Sequence, residues 1–184
     1  MLIYAMTMSA DGFVVDRDGG IDWAVPNDEL IRFHSERVGS LGGYLLGRRL
    51  YEAMLGWETD PSMRDTADGA EFADIWSALP KVVFSRTLAR VEGNARLASA
   101  ALPDEIAAMT AAGRDVEIGG ANLAAQAVAL DLVDELRMFR SPIVLGAGTP
   151  YLPPVAAPLP LDLVDTRVFG SIVYECYRRD RSRE

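Results

Sequence analysis

The sequence predicts an α/β fold built on one mixed sheet, with most strands parallel and the last ones antiparallel. Three observations carry this. Up to about residue 130, short apolar runs alternate with stretches of helical spacing, the order that builds parallel strands joined by crossover helices. After Asp134, three strand-like runs follow one another with no helix between them, which implies an antiparallel edge. Finally, 184 residues, 49% of them hydrophobic, suffice for one sizeable core and leave little room for a second, so residues 1–184 are read as a single domain.

Residues 2–8 are mostly apolar, as a strand buried on both faces requires. Asp11-Gly12 and Asp18-Gly19-Gly20 mark turns around Phe13, giving a flexible loop or a small hairpin. A helix is expected from Asn27 or Asp28, either of which suits its cap, to about Val38. Residues 44–46 form a second buried strand closed by Gly47, and residues 48–54 start another helix on it. Residues 58–69 are polar and hold Pro61, so they read as loop; 70–79 read as a short helix stopped by Pro80. Residues 81–85 are the third clear strand and 94–97 a minor fourth. Pro103-Asp104-Glu105 opens a helix that runs to Ala112 and stops at Gly113. Residues 116–118 are a short strand ending in Gly119-Gly120, followed by a helix of small and aliphatic residues over 121–130. Strands at 135–144, 161–169 and 171–178 close the chain, with a tight loop at 146–150 and an irregular proline-rich crossover at 153–160.

Charge and residue usage exclude several functions. With 27 acidic residues against 18 basic, the formal charge of −9 argues against a general nucleic-acid binder, which needs a basic face. Lys81 is the one lysine, so arginine is the cation on hand for a phosphate. One cysteine, Cys176, allows neither an intrachain disulfide nor a cysteine-cluster metal site. One histidine, His34, excludes a multi-histidine zinc site, and no metal is expected. Cys176 is read as a core or interface residue and His34 as a half-buried helix residue. Ser9 and Ser141 have no histidine nearby in sequence, so a hydrolase triad is unsupported. With no basic n-region, no cleavage pattern and no apolar run of spanning length, a cytoplasmic protein without a membrane partner is expected. Ile172, Val173, Tyr174 and Tyr177 would be hazardous on an open edge, so a homodimer through the late strands is expected.

Chemistry-bearing residues collect just past the early strands. Gly47-Arg48-Arg49, Ser85-Arg86-Thr87 and Gly119-Gly120-Ala121-Asn122 each place glycine, hydroxyl or guanidinium groups there. In an open α/β sheet the carboxyl ends of the strands form the ligand crevice. A glycine turn lets another molecule approach the backbone, and the helix N-terminus that follows offers unpaired N–H groups and partial positive charge, which suit a pyrophosphate. An ordinary strand-to-helix turn uses the same two glycines; the convergence of three strand ends is what points to a nucleotide. Residues 39–43 have fingerprint-like glycines but precede a strand instead of following one, and are rejected. Asp28 admits two readings: a helix cap or first-turn acid, or a carboxylate beside Trp23 that supports protonation of a C=N bond through water.

Together these pieces resemble the dihydrofolate-reductase-like superfamily, and in the later part especially the RibD C-terminal reductase family of riboflavin-biosynthesis deaminase–reductases. The matching stretches are Ala5 in the first strand, Trp23-x-x-Pro26-x-Asp28, Gly47-Arg48-x-x-Tyr51-Glu52, Phe84-Ser85-Arg86, Ile118-Gly119-Gly120 and Leu145-Gly146-Ala147-Gly148-Thr149-Pro150. They occur in family order across nearly the whole chain. The resemblance implies a dihydrofolate-reductase-like three-layer fold and NADPH as hydride donor to a heterocyclic substrate, of the phosphoribosylaminouracil (riboflavin-pathway) or pterin kind. It implies cofactor contacts from Ala5, Gly47, Arg48, Arg49, Leu50, Ser85, Arg86, Gly119, Gly120, Ala121, Asn122 and Leu123. Arg48 and Arg86 would face the adenosine 2′-phosphate, and the glycine turn would receive the pyrophosphate. Trp23, Asp28 and Phe13 would border the substrate, with Asp28 as the catalytic acid. Reductases acting on dihydrofolate usually carry a threonine where Leu50 stands and a third glycine where Ala121 stands, so here backbone N–H groups must hold the phosphates. The alternative function is a non-catalytic NADPH- or flavin-binding protein that retains the fold.

Overall fold

The computed structural model describes residues 1–183. Along the chain, β1 (Leu2–Ser9) and β2 (Phe13–Val15) precede α1 (Asp28–Gly39). β3 (Gly43–Gly47) leads into α2 (Arg48–Met54), α3 (Gly56–Thr59) and α4 (Ala67–Ala78). β4 (Lys81–Phe84) and β5 (Ala95–Leu97) precede α5 (Leu102–Thr110), and β6 (Val116–Gly119) leads into α6 (Ala121–Ala129). The chain closes with β7 (Glu135–Ser141), β8 (Thr149–Pro150), β9 (Leu161–Phe169) and β10 (Ile172–Arg179).

Eight strands form one sheet in the order β5-β4-β3-β6-β1-β7-β10-β9, and β2 pairs with β8 in a small antiparallel ribbon. Pairing is parallel from β5 through to β7, and β10 runs against both of its neighbours. The side-chain period of two divides each strand between two helical layers. Leu2, Tyr4, Leu45, Val82 and Ile118 pack toward α5 and α6; Ile3, Ala5, Tyr44, Leu46 and Val83 pack toward α1, α2 and α4. This is the three-layer, mixed and mostly parallel fold with antiparallel C-terminal strands that the sequence predicts.

Four local differences have identifiable causes. Strand β7 ends at Ser141, not at residue 144, because Pro142 cannot donate to the ladder. Thr149 and Pro150 are not simply loop, since they pair with the β2 ribbon. Residues 58–69 are mostly ordered turns of helix instead of loop. Asp60 caps a short 3₁₀ turn over Pro61–Arg64, and the Thr66 hydroxyl accepts from Gly69 N–H, so α4 starts three residues before the expected Ala70. What holds this segment down is Glu58, whose Oε1 lies 3.0 Å from Nζ of the buried Lys81. The ammonium also donates to Leu79 O and sits 4.9 Å from the centre of the Trp76 ring. Burial pulls the Lys81 pKa below its ordinary value, and the Glu58 hydrogen bond partly offsets that.

The fourth difference concerns the sheet's edge. β10 is an interior strand, with Ile172, Tyr174 and Cys176 buried. The open edge on this side of the sheet is β9, where Leu163, Val164 and Val168 are exposed. Among the described residues no helix is long and apolar enough to cross a membrane.

Replacing Glu58 with Ala leaves the Lys81 ammonium buried without its carboxylate. The expected cost is roughly 3–5 kcal/mol of unfolding free energy, read from denaturant melts. A loss under about 1 kcal/mol would show that Glu58 does not anchor the segment.

Candidate functional site

Because β1, β3, β4 and β6 are parallel, their carboxyl ends lie along one edge of the sheet. At that edge the chain turns from β6 into α6 through Gly119 and Gly120. A Cβ on Gly119 would lie 2.4 Å from Leu50 Cδ2 and 2.9 Å from the Tyr44 hydroxyl, so any side chain there would have to displace both. Gly120 has φ +90°, a backbone region closed to most side chains, and a Cβ there would sit 3.5 Å from the Gly47 nitrogen. Helix α6 starts without a side-chain cap, and the N–H groups of Leu123 and Ala124 return to Gly120 O. Ala121 and Asn122 precede these first donors, so their N–H groups are the ones left over at the head of the helix, the arrangement that receives a phosphate.

The structure thus brings Gly47, Leu50, Gly119, Gly120 and Leu123 together; a Cβ on Gly47 would lie 3.7 Å from Leu123 Cβ. Ala121 is buried at the head of α6, while Asn122 is exposed. Arg48, Arg49 and Arg86 stand exposed on the same edge, and the Arg48 guanidinium lies a long 4.0 Å from the Glu52 carboxylate. Ser85 Oγ closes its own turn by accepting from the N–H groups of Thr87 and Leu88.

Beside this turn, between α1 and the sheet, lies a cavity of about 300 Å³. Ala5, Met6 and Thr7 of β1, Val14, Ile31 and Phe139 are among its walls, and so is Leu50, which also touches the glycine turn. Ala5 therefore stands where the cavity meets β1. Phe13, Trp23 and Asp28 are not on the wall; Val14, Ala24, Pro26 and Ile31 line it from the same segments. Phe13 is half-buried in the β2 ribbon, and the half-buried Trp23 donates from Nε1 to Gly20 O at 3.3 Å. Asp28 is exposed in the first turn of α1, whose cap is Asn27, accepting from Leu30 N–H at 2.9 Å.

The strap that carries Val14 is tied down at its start. The Asp11 carboxylate accepts from Ser9 Oγ at 2.7 Å and from the N–H groups of Leu145 and Gly146 at 3.1 and 2.7 Å. The Ser9 hydroxyl first, then the Leu145 N–H, hold its pKa down at about 2. Tyr151 N–H donates to Gly12 O at 2.8 Å, completing the link to the loop before β9.

The floor of the cavity is polar. Glu117, in the middle of β6, is fully buried and its Oε2 accepts from Nη1 of Arg37 on α1. Arg37 Nη2 lies 3.2 Å from His34 Nδ1, and its guanidinium carbon is 5.6 Å from the centre of the Phe139 ring. An arginine can only donate, so Nδ1 is the acceptor and the His34 proton sits on Nε2. Burial, then the charge of Arg37, push the His34 pKa down to about 3, so the ring is neutral. Burial likewise lowers Arg37 to about 10 and raises Tyr44, which also lines the cavity, to about 12. Reasoning from the sequence passed over Arg37, Tyr44 and Glu117. The available signal was a carboxylate inside the apolar run Val116-Glu117-Ile118, with His34 and Arg37 three apart on one helix face.

The RibD C-terminal domain family model matches residues 1–174. The uncharacterized protein YyaP of Bacillus subtilis (strain 168) is 27% identical over 176 residues, covering 95% of this chain and 92% of YyaP. Among solved structures, a Shewanella sp. PV-4 protein assigned provisionally to riboflavin biosynthesis is 25% identical with a TM-score of 0.77, over 98% of this chain and 99% of that one. The diaminohydroxyphosphoribosylaminopyrimidine deaminase/5-amino-6-(5-phosphoribosylamino)uracil reductase of Thermotoga maritima is 16% identical with a TM-score of 0.67, over 98% of this chain and 56% of that one. Dihydrofolate reductase from Enterococcus faecalis, solved with NADP(H), is 15% identical with a TM-score of 0.63, over 98% and 96%.

The sole histidine makes its protonation directly observable. Its ring resonances are expected to stay flat from about pH 8 down to about pH 5, measured by NMR. The unfolded chain takes up that proton below about pH 6.5 and the folded one only near pH 3, so this group's contribution to stability is lost on acidification through that window. A folded-state midpoint near the ordinary value would contradict the burial of the ring against Arg37.

Proposed function

The chain belongs to the RibD C-terminal domain family, and from that premise we propose that it is an NADPH-dependent reductase of a small heterocyclic substrate. One observation carries the reading: an uncapped glycine turn at the carboxyl edge of the sheet shares the wall residue Leu50 with a ring-sized, largely apolar cavity. The residues present fit the cofactor, since the turn offers backbone N–H groups with no Cβ in the way and the edge carries Arg48, Arg49 and Arg86. NADPH, when bound, supplies the hydride.

In this reading the N–H groups of Gly120, Ala121 and Asn122 and the turn at Gly47 hold the pyrophosphate, with Leu50, Gly119 and Leu123 forming the apolar bed beneath it. Arg48 and Arg86 hold the 2′-phosphate, which a guanidinium recognises better than an ammonium does. Ser85 and Asn122 supply hydrogen bonds at the rim. Ala5, small and set in the cavity wall, leaves room for a planar ring at the junction. The cavity holds the acceptor, and its size matches a pyrimidine or pterin ring system. Trp23 and Phe13 buttress the segments that wall the cavity, and Asp28, exposed at the start of α1, delivers a proton through water. Support for the substrate class comes from the uracil reductase named for the Thermotoga protein, and support for the cofactor from the NADP(H) complex of the Enterococcus enzyme. The exposed Leu163, Val164 and Val168 on the open β9 edge favour a homodimer through that strand.

Titration of tryptophan fluorescence is expected to show tighter binding of NADPH than of NADH. Arg48→Ala and Arg86→Ala should each weaken NADPH by about tenfold and leave NADH nearly unchanged. Equal, weak responses to both nucleotides would sink the cofactor assignment. Light scattering at micromolar protein should give the mass of a dimer, and a monomer mass would remove the β9 interface.

A further inference from the structure

The Arg37–Glu117 pair leaves two polar atoms with no protein partner among the described residues: Glu117 Oε1 and Arg37 Nε. Both side chains are more than nine-tenths buried, at 1% and 8% exposure, and both line the cavity. An unpaired carboxylate oxygen under an apolar cavity carries a desolvation cost that bulk water does not relieve. The cavity that Glu117 lines is the space next to it.

We propose that Glu117 is the specificity-determining residue of this pocket, its free Oε1 accepting a hydrogen bond from a ring N–H or amino group of an uncharged heterocycle. The inference rests on the reading of the cavity as the acceptor site and adds what that acceptor must present. The ligand is uncharged because the floor is already neutral in sum: the guanidinium of Arg37 offsets the carboxylate, and His34 is neutral with its proton on Nε2. An extra charge brought there would have no counter-ion. The ligand carries a donor because a carboxylate oxygen can only accept. It is flat because the walls around the floor include Phe139 and Trp57 and the cavity is of ring size. Arg37 is the positioning residue: its Nη1 holds Oε2 and so fixes the carboxylate at the cavity floor.

The test compares two probes that differ at one atom: the neutral bicyclic lactam quinazolinone, with a ring N–H, and its N-methyl derivative. Affinities are measured by calorimetry on the full chain without NADPH. The parent lactam is expected to bind at least about tenfold more tightly than the N-methyl form. In Glu117→Gln, Arg37 holds the amide oxygen and the amide NH2 takes the place of Oε1, so an acceptor becomes a donor and the preference disappears. It also disappears in the double variant Glu117→Met/Arg37→Met, which replaces the whole pair by apolar groups of similar size and is tolerated in folding. NADPH titrations of both variants are expected to match the unaltered protein, which a merely unfolded or distorted variant would fail. Equal affinity for the two probes, no binding of either at millimolar concentration, or a preference that survives in both variants overturns the proposal. Failure of the unaltered protein to bind NADPH counts against the reductase reading alone, because the probe comparison does not involve the cofactor.

Discussion

A carboxylate in the middle of a central strand is the constraint that shapes the rest of this molecule. Glu117 lies on β6, flanked in the sheet by β1 and β3 and opposite Ile3 and Tyr44. Burying that charge is tolerable only if a cation is delivered to it. Arg37 does so from α1, and α1 is thereby held at a fixed distance from the sheet near its carboxyl end. Its other end is fixed by Asn27, which caps the helix and donates from Nδ2 to Phe169 O at 3.1 Å. Between these anchors Phe33 packs 4.9 Å from Phe169 and 5.0 Å from Tyr174. The cavity lies under a helix clamped at both ends, so its shape is a consequence of the clamping.

The other wall is fixed by a different kind of contact. Tyr4 and Tyr151 stack at 4.3 Å, and each hydroxyl donates to the other's backbone carbonyl at 2.9 Å. That reciprocal lock ties the loop after β8 to the first strand, and the Asp11 carboxylate ties the start of the strap to Leu145 and Gly146. The result is a pocket whose helix, strand and strap are each held by interactions outside the pocket. Such preorganisation reduces the ordering cost when a ligand enters.

Much of the architecture was legible in the sequence because it follows from local chemistry. Apolar runs of four to eight residues and glycine-bounded turns report strands and crossovers, so the order of elements, the antiparallel close and the glycine turn at residues 119–120 could all be read. The residues that could not be read depend on partners far along the chain. Residues 58–69 look like loop because the reason for their order is Lys81, which Glu58 reaches across more than twenty positions. The apolar residues 172–177 look like an edge because nothing local says that β9 folds back outside them. At the site, the Gly47, Leu50 and Gly119–Leu123 cluster was visible as motif, whereas the cavity floor was not. Arg37 and Glu117 are eighty residues apart, and neither belongs to a motif. The neutrality of His34 likewise depends on a tertiary environment.

Two proposed sites share one wall: a backbone cradle for a dinucleotide at the head of α6 and a pocket for a neutral ring beneath α1. Leu50, in contact with both, is where cofactor and acceptor meet in this view, and hydride transfer then depends on holding two rings in register. The most direct measurement is a crystal structure of the chain with NADP(H). The pyrophosphate is expected against the N–H groups at the start of α6, with the nicotinamide ring at Ala5 and open to the cavity. A cofactor bound elsewhere, or a nicotinamide ring walled off from the cavity, would contradict it.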